Sequence, residues 1–91
     1  MKRVMIQVKG KVQGVSYRQN TLVQANTLGV TGYVSNLSDG TVQILAQGSE
    51  VAVDKLIGWC YIGAPASRVD EVIVEEDEAD EIYLDFSIMQ P

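Results

Sequence analysis

The 91 residues predict an α+β sandwich of the ferredoxin-like kind, two helices lying on one face of an antiparallel sheet, with a further C-terminal strand. Three observations point there. Val4, Ile6 and Val8 alternate with polar or longer residues, the period of a half-buried strand. Two later segments carry apolar residues at helical spacing between capping and stop residues. These elements follow one another as βαββαβ with a last strand added, an order that stacks helices on a sheet. Residues 1–91 make a single domain, because a chain this long buries roughly two thirds of its unfolded surface in one core.

Each element has its own signal. Residues 3–9 form the first strand, and GKVQGVSYR, residues 10–18, is a glycine-bracketed turn behind it. Ser16 stands as the cap of the first helix, with Gln19 completing a capping-box pattern; Leu22, Ala25 and Leu28 follow at helical spacing and Gly29 stops it. Residues 30–36 and 41–47 are β-rich runs joined by the turn Leu37, Ser38, Asp39, Gly40. Ser49 caps a second helix whose Val53, Leu56, Ile57 and Cys60 share a face and which ends before Gly63 and Pro65. A strand over 68–75 follows. The acidic run at 75–81 reads as a solvated hairpin, and Ile82, Leu84, Phe86 and Ile88 mark the last strand by their period of two. Tyr17, Tyr33, Trp59 and Tyr61 read as packing residues, and Cys60 as a core thiol.

Composition narrows the function. No apolar run approaches a membrane span and the N-terminus shows no signal-peptide pattern, so a soluble, cytoplasmic protein without a membrane partner is expected. One cysteine cannot form an internal disulfide, and with no histidine there is no zinc ligand set; no metal and no cofactor are expected. The net charge of -5 lacks the broad basic face that nucleic acids require. Its distribution is uneven: the first 38 residues carry +5 through Lys2, Arg3, Lys9, Lys11 and Arg18, and the remainder -10. These cations either sit solvated at strand ends or raise the potential around residues 10–18 to attract an anion.

The turn at 10–18 has the makings of a phosphate cradle. Gly10 and Gly14 accept backbone angles that let several N–H groups face one anion, and Arg18 falls where a helix begins, adding a guanidinium to the macrodipole. There is no histidine, no cysteine near the loop and no acid before Asp39. A phosphohistidine is impossible, and a magnesium cage beside the cradle has no ligands. The chemistry left is hydrolysis of a phosphate with a good leaving group, driven by positioning and charge stabilisation.

Two segments resemble the signatures of the acylphosphatase family over about Val4 to Val69. One is glycine, any, Val-Gln-Gly-Val, any, aromatic, Arg, seen in GKVQGVSYR. The other is Gly-aromatic-Val, any, Asn, with glycines four and twelve residues later, seen in GYVSNLSDGTVQILAQG at 32–48. The resemblance implies a hydrolase that cleaves the carboxyl-phosphate bond of acyl phosphates to carboxylate and inorganic phosphate. It further implies that Arg18 binds the phosphoryl group and that the backbone N–H groups of Gln13, Gly14, Val15, Ser16, Tyr17 and Arg18 hold its oxygens. Asn36 then orients the attacking water, as an amide that accepts on one side and donates on the other. No basic side chain is evident to take the water's proton, which leaves a phosphate oxygen of the substrate. The partner is a small-molecule acyl phosphate and the protein a monomer. Ser35 stands where the family usually has a long, often basic residue, and Leu37 where some relatives carry a hydroxyl; both bear on affinity and substrate preference. A non-catalytic anion-binding module is the rival reading. An RNA-binding domain of the same strand order is a third, but 41–47 lack the aromatic residues it needs.

Overall fold

A computed structural model describes residues 1–89. The chain runs β1 (Lys2–Lys11), α1 (Tyr17–Leu28), β2 (Thr31–Asn36), β3 (Val42–Gly48), α2 (Glu50–Ile62), β4 (Arg68–Glu76) and β5 (Phe86–Met89). The sheet order is β4-β1-β3-β2-β5. β1 pairs antiparallel with β3 and β4, and β2 antiparallel with β3, while the added β5 lies parallel to β2. None of the helices among the described residues is long and apolar enough to cross a membrane.

The period-two pattern of the sequence becomes the floor of the core. Val4, Ile6 and Val8 from β1, Val42, Ile44 and Ala46 from β3, and Val34 from β2 are all buried, facing Ala25 of α1 and Val53, Leu56 and Cys60 of α2. The buried stripe of α1 is Tyr17, Thr21 and Ala25, one residue every turn, with Leu22 and Leu28 packed along its side. Ser49 caps α2 as its sequence predicts, its hydroxyl accepting from the Ala52 N–H at 3.1 Å.

The other face of the sheet is partly covered, and here the structure departs from the sequence pattern. Residues 77–85 are a strap across that face in place of a hairpin. Gln47 holds it by both ends of its amide: Nε2 donates to the Glu81 carbonyl oxygen at 2.9 Å and Oε1 accepts from the Tyr83 N–H at 2.9 Å. Arg3 pairs with Asp77 at 2.7 Å, donates to the Glu81 carbonyl oxygen and lies 5.6 Å from the centre of the Tyr83 ring. Because Gln47 occupies these backbone groups, the last strand starts only at Phe86, and Ile82 and Leu84 are exposed. Tyr61 is also exposed, not packed.

The fold also settles what the early cations do. Lys2 pairs with Asp54 at 2.7 Å and Arg3 with Asp77, both at the end of β1 away from residues 12–18. At about 3.3 Å per strand residue they stand more than a screening length from the cradle. Lys9 has Glu71 at 3.7 Å. Lys11 and Arg18 are the cations that flank the turn.

Candidate active site

β1 leaves the sheet through a bulge. The register against β4 shifts between Lys9 and Gly10, where φ is +134° and a Cβ would overlap the Arg68 carbonyl oxygen, so only glycine fits. Beyond it, Gly14 (φ 73°) and Ser16 (φ 62°) are both left-handed, with Val15 between them not so. Such alternation turns successive N–H groups toward one point, the geometry of an anion nest.

Ser16 is the N-cap of α1, yet its hydroxyl makes no cap bond and the predicted capping box with Gln19 does not form. A capping side chain needs extended backbone at the cap. The left-handed Ser16 turns its hydroxyl aside, and its carbonyl oxygen instead accepts from the Asn20 N–H at 3.1 Å and from Asn20 Nδ2 at 2.8 Å. The first N–H groups of the helix, those of Tyr17, Arg18 and Gln19, are thereby left without a side-chain cap. Among the described residues, no backbone N–H from 13 to 18 donates to a protein acceptor in this turn.

Tyr17 anchors the turn to α2. Its ring is buried with its centre 5.3 Å from that of Trp59, and its hydroxyl donates to the Cys60 carbonyl oxygen at 2.9 Å. Burial pushes its ionisation far above the ordinary tyrosine range, so it stays neutral. Arg18 follows, half-buried, and none of the ion pairs among the described residues engages it.

Gly14, Ser16, Tyr17, Arg18 and Asn36 line one cavity of about 200 Å³. The fold therefore brings together Arg18 and Asn36, which are far apart in the chain. Val12, fully buried, and Gln19, exposed at the rim, complete the lining; neither was a site candidate from sequence, and the apolar Val12 gave no chemical signal. Gln13 and Val15 are not lining residues. Val15 packs on the core, and the Gln13 side chain is directed to the β2–β3 turn.

Asn36 ends β2, and its Oδ1 is buried with no hydrogen-bond partner among the described residues. A buried acceptor left unmatched is costly, by about 1–3 kcal/mol, so it marks a place reserved for a donor. Asp39 does not line this cavity. Its carboxylate accepts from the Thr41 hydroxyl at 2.6 Å and the Thr41 N–H at 3.0 Å, which hold its pKa below the usual carboxylate range, and it closes the turn.

Among the described residues, the cavity thus offers the uncapped start of α1, a guanidinium outside any ion pair and one unsatisfied amide acceptor. It can hold a tetrahedral oxyanion with a water beside it. Among the described residues, no acid, thiol or imidazole lines it. A larger cavity of about 400 Å³ lies at the other end of β1, but its Glu50, Glu76, Asp77 and Glu78 repel an anion.

Comparison with known proteins places the chain in a family. The acylphosphatase family model matches residues 4–88. The chain is 66% identical to the acylphosphatase of Shewanella amazonensis over 90 residues, 99% of each chain, and 59% identical to that of Shewanella oneidensis over 99% of this chain and all of the other. Its fold superposes on the crystal structure of acylphosphatase from Bacillus subtilis with a TM-score of 0.94 at 36% identity, covering 98% of this chain and 99% of that one. The chain belongs to the acylphosphatase family.

Proposed function

We propose that the protein hydrolyses acyl phosphates to a carboxylate and inorganic phosphate, with Arg18 and the backbone N–H groups of Gln13 to Arg18 holding the phosphoryl oxygens and Asn36 orienting the water. The chief support for the site is the unpartnered Oδ1 of Asn36 in the cavity that Arg18 also lines. A water donating one proton to that oxygen faces the phosphorus with a lone pair. The new bond forms from water oxygen to phosphorus as the bond from phosphorus to the acyl oxygen breaks. The acyl group departs as a carboxylate, whose pKa near 4 lets it leave without a general acid. The water's proton passes to a phosphoryl oxygen, since among the described residues no carboxylate or imidazole that could accept it lines the cavity. Charge that builds on the equatorial oxygens meets fixed donors that need no reorganisation. Residues 1–91 act as one unit, as a cytoplasmic monomer, without metal or covalent intermediate.

Purified protein in the presence of a chelator, given benzoyl phosphate and separately a phosphate monoester, tests the reading. Cleavage of the acyl phosphate alone is expected. Equal cleavage of the monoester, or activity that disappears with the chelator, would overturn it. Phosphate binding without turnover would make the chain an anion-binding module instead.

A further inference from the structure

The two halves of the site sit on strands that do not touch. The cradle hangs from the end of β1 and Asn36 ends β2, with β3 between them and paired to both; the β1–β3 ladder stops at Val8 and Val42, so residues 12–18 lie beyond it. Strands spaced about 4.8 Å apart put the ends of β1 and β2 roughly 10 Å from each other, a distance that no β1–β3 pair spans past Val42.

Gln13 crosses it. Its Nε2 donates to the Leu37 carbonyl oxygen at 2.8 Å and to the Thr41 carbonyl oxygen at 2.9 Å. Both acceptors flank Asn36: Leu37 follows it in the chain, and Thr41 precedes Val42, the residue opposite Asn36 in the β2–β3 register. The turn does not need Gln13 to close. The Leu37 N–H already donates to the Thr41 carbonyl oxygen at 2.9 Å, the Gly40 N–H to that of Leu37 at 3.2 Å, and Asp39 takes both Thr41 donors. At its other end, Gln13 adjoins Gly14, the first left-handed residue of the nest.

Resting on the roles given above to Arg18 and Asn36, we propose that the Gln13 side chain is a positioning residue: its amide sets the separation between the phosphate cradle and Asn36, and so the alignment of water with phosphorus. Gln13 touches neither water nor substrate through this side chain. It acts through Asn36. In-line attack is sensitive to such alignment, and a displacement of about 1 Å costs on the order of a hundredfold in rate.

The test is a double-mutant cycle with Gln13→Met, which keeps length and loses both donors, in the wild-type and Asn36→Ala backgrounds. In the first, kcat for benzoyl phosphate falls on the order of a hundredfold, while the inhibition constant of inorganic phosphate moves by less than about threefold. In the second, Gln13→Met adds little further loss, because the residue it positions has gone. Equal losses in both backgrounds, or phosphate affinity that falls in step with kcat, would overturn the proposal and leave Gln13 a general support of the fold. Wild-type turnover in Asn36→Ala alone would remove the role of Asn36 itself, a separate and visible failure.

Gln13→Glu gives an independent reading should the methionine variant fold poorly. Its carboxylate would face two carbonyl oxygens, and protonation restores one O–H donor to them. Turnover of Gln13→Glu relative to wild type therefore rises as the pH falls through the carboxyl's titration. A ratio that does not change with pH counts against the proposal.

Discussion

The Tyr17 hydroxyl donates to the Cys60 carbonyl oxygen, joining the first turn of α1 to the last turn of α2. Cys60 lies among the final residues of its helix, whose carbonyls have no intrahelical partner, so Tyr17 serves as a cap for the other helix. Tyr17→Phe strands that buried carbonyl, and should lower unfolding free energy by about 1–3 kcal/mol in urea titrations. An unchanged midpoint would mean that the bond contributes nothing net.

Arg18 and Asn36 should fail differently. On the roles proposed above, Arg18→Ala removes charge that binds both ground and transition states, so kcat/KM should drop on the order of a thousandfold or more and phosphate affinity should fall with it. Asn36→Ala leaves the cradle's donors in place and should lower kcat on the order of a hundredfold or more while titration calorimetry still finds phosphate bound. Equal loss of phosphate affinity in the two variants would contradict the division of roles.

Burial pushes the Cys60 thiol from 9.0 up to about 12. Its folded pKa thus exceeds its unfolded one, so its contribution is intact below pH 9 and is lost as pH rises from there toward 12, where the unfolded chain alone holds a thiolate. Across that window stability should fall by up to about 1.4 kcal/mol per pH unit from this group. Tyr17, shifted the same way, adds to the slope above its ordinary range. Denaturant midpoints between pH 8 and 10.5 should show a shallower decline in Cys60→Ala than in the parent chain.

Two glycines of the cradle should tolerate alanine unequally. Both have positive φ, but a Cβ at Gly14 meets nothing within 4 Å, whereas one at Gly10 overlaps the Arg68 backbone. Gly14→Ala should cost the left-handed penalty alone, about 1–2 kcal/mol. Gly10→Ala must also part β1 from β4 at the bulge and should cost clearly more in the same unfolding assay.

What the sequence disclosed was whatever depended on neighbours in the chain. The alternation of Val4, Ile6 and Val8 foretold the floor of the core, and Ser49 with Val53, Leu56 and Cys60 foretold α2. Ser16 shows the limit: its type suits a cap, but its left-handed φ comes from the turn it closes, which residue type alone does not reveal. Ile82 and Leu84 alternate as strand residues do, yet Gln47, distant in sequence, takes the backbone groups of Glu81 and Tyr83 on either side of Ile82. Arg18 and Asn36 were legible as a pair only through family motifs. The stranded Oδ1 of Asn36 and the reach of Gln13 to Leu37 and Thr41 are three-dimensional facts with no trace in spacing.

The bulge at Gly10 has a consequence for synthesis. Every residue lining the cavity of Arg18 and Asn36 lies in the first half of the chain, but the backbone against which Gly10 bends belongs to Arg68, Val69 and Asp70, which a ribosome adds much later. A nascent chain lacking β4 carries all the chemistry without the edge that shapes it. Catalytic competence therefore arrives late in translation, and a chain halted before Arg68 should bind inorganic phosphate far more weakly than the finished protein.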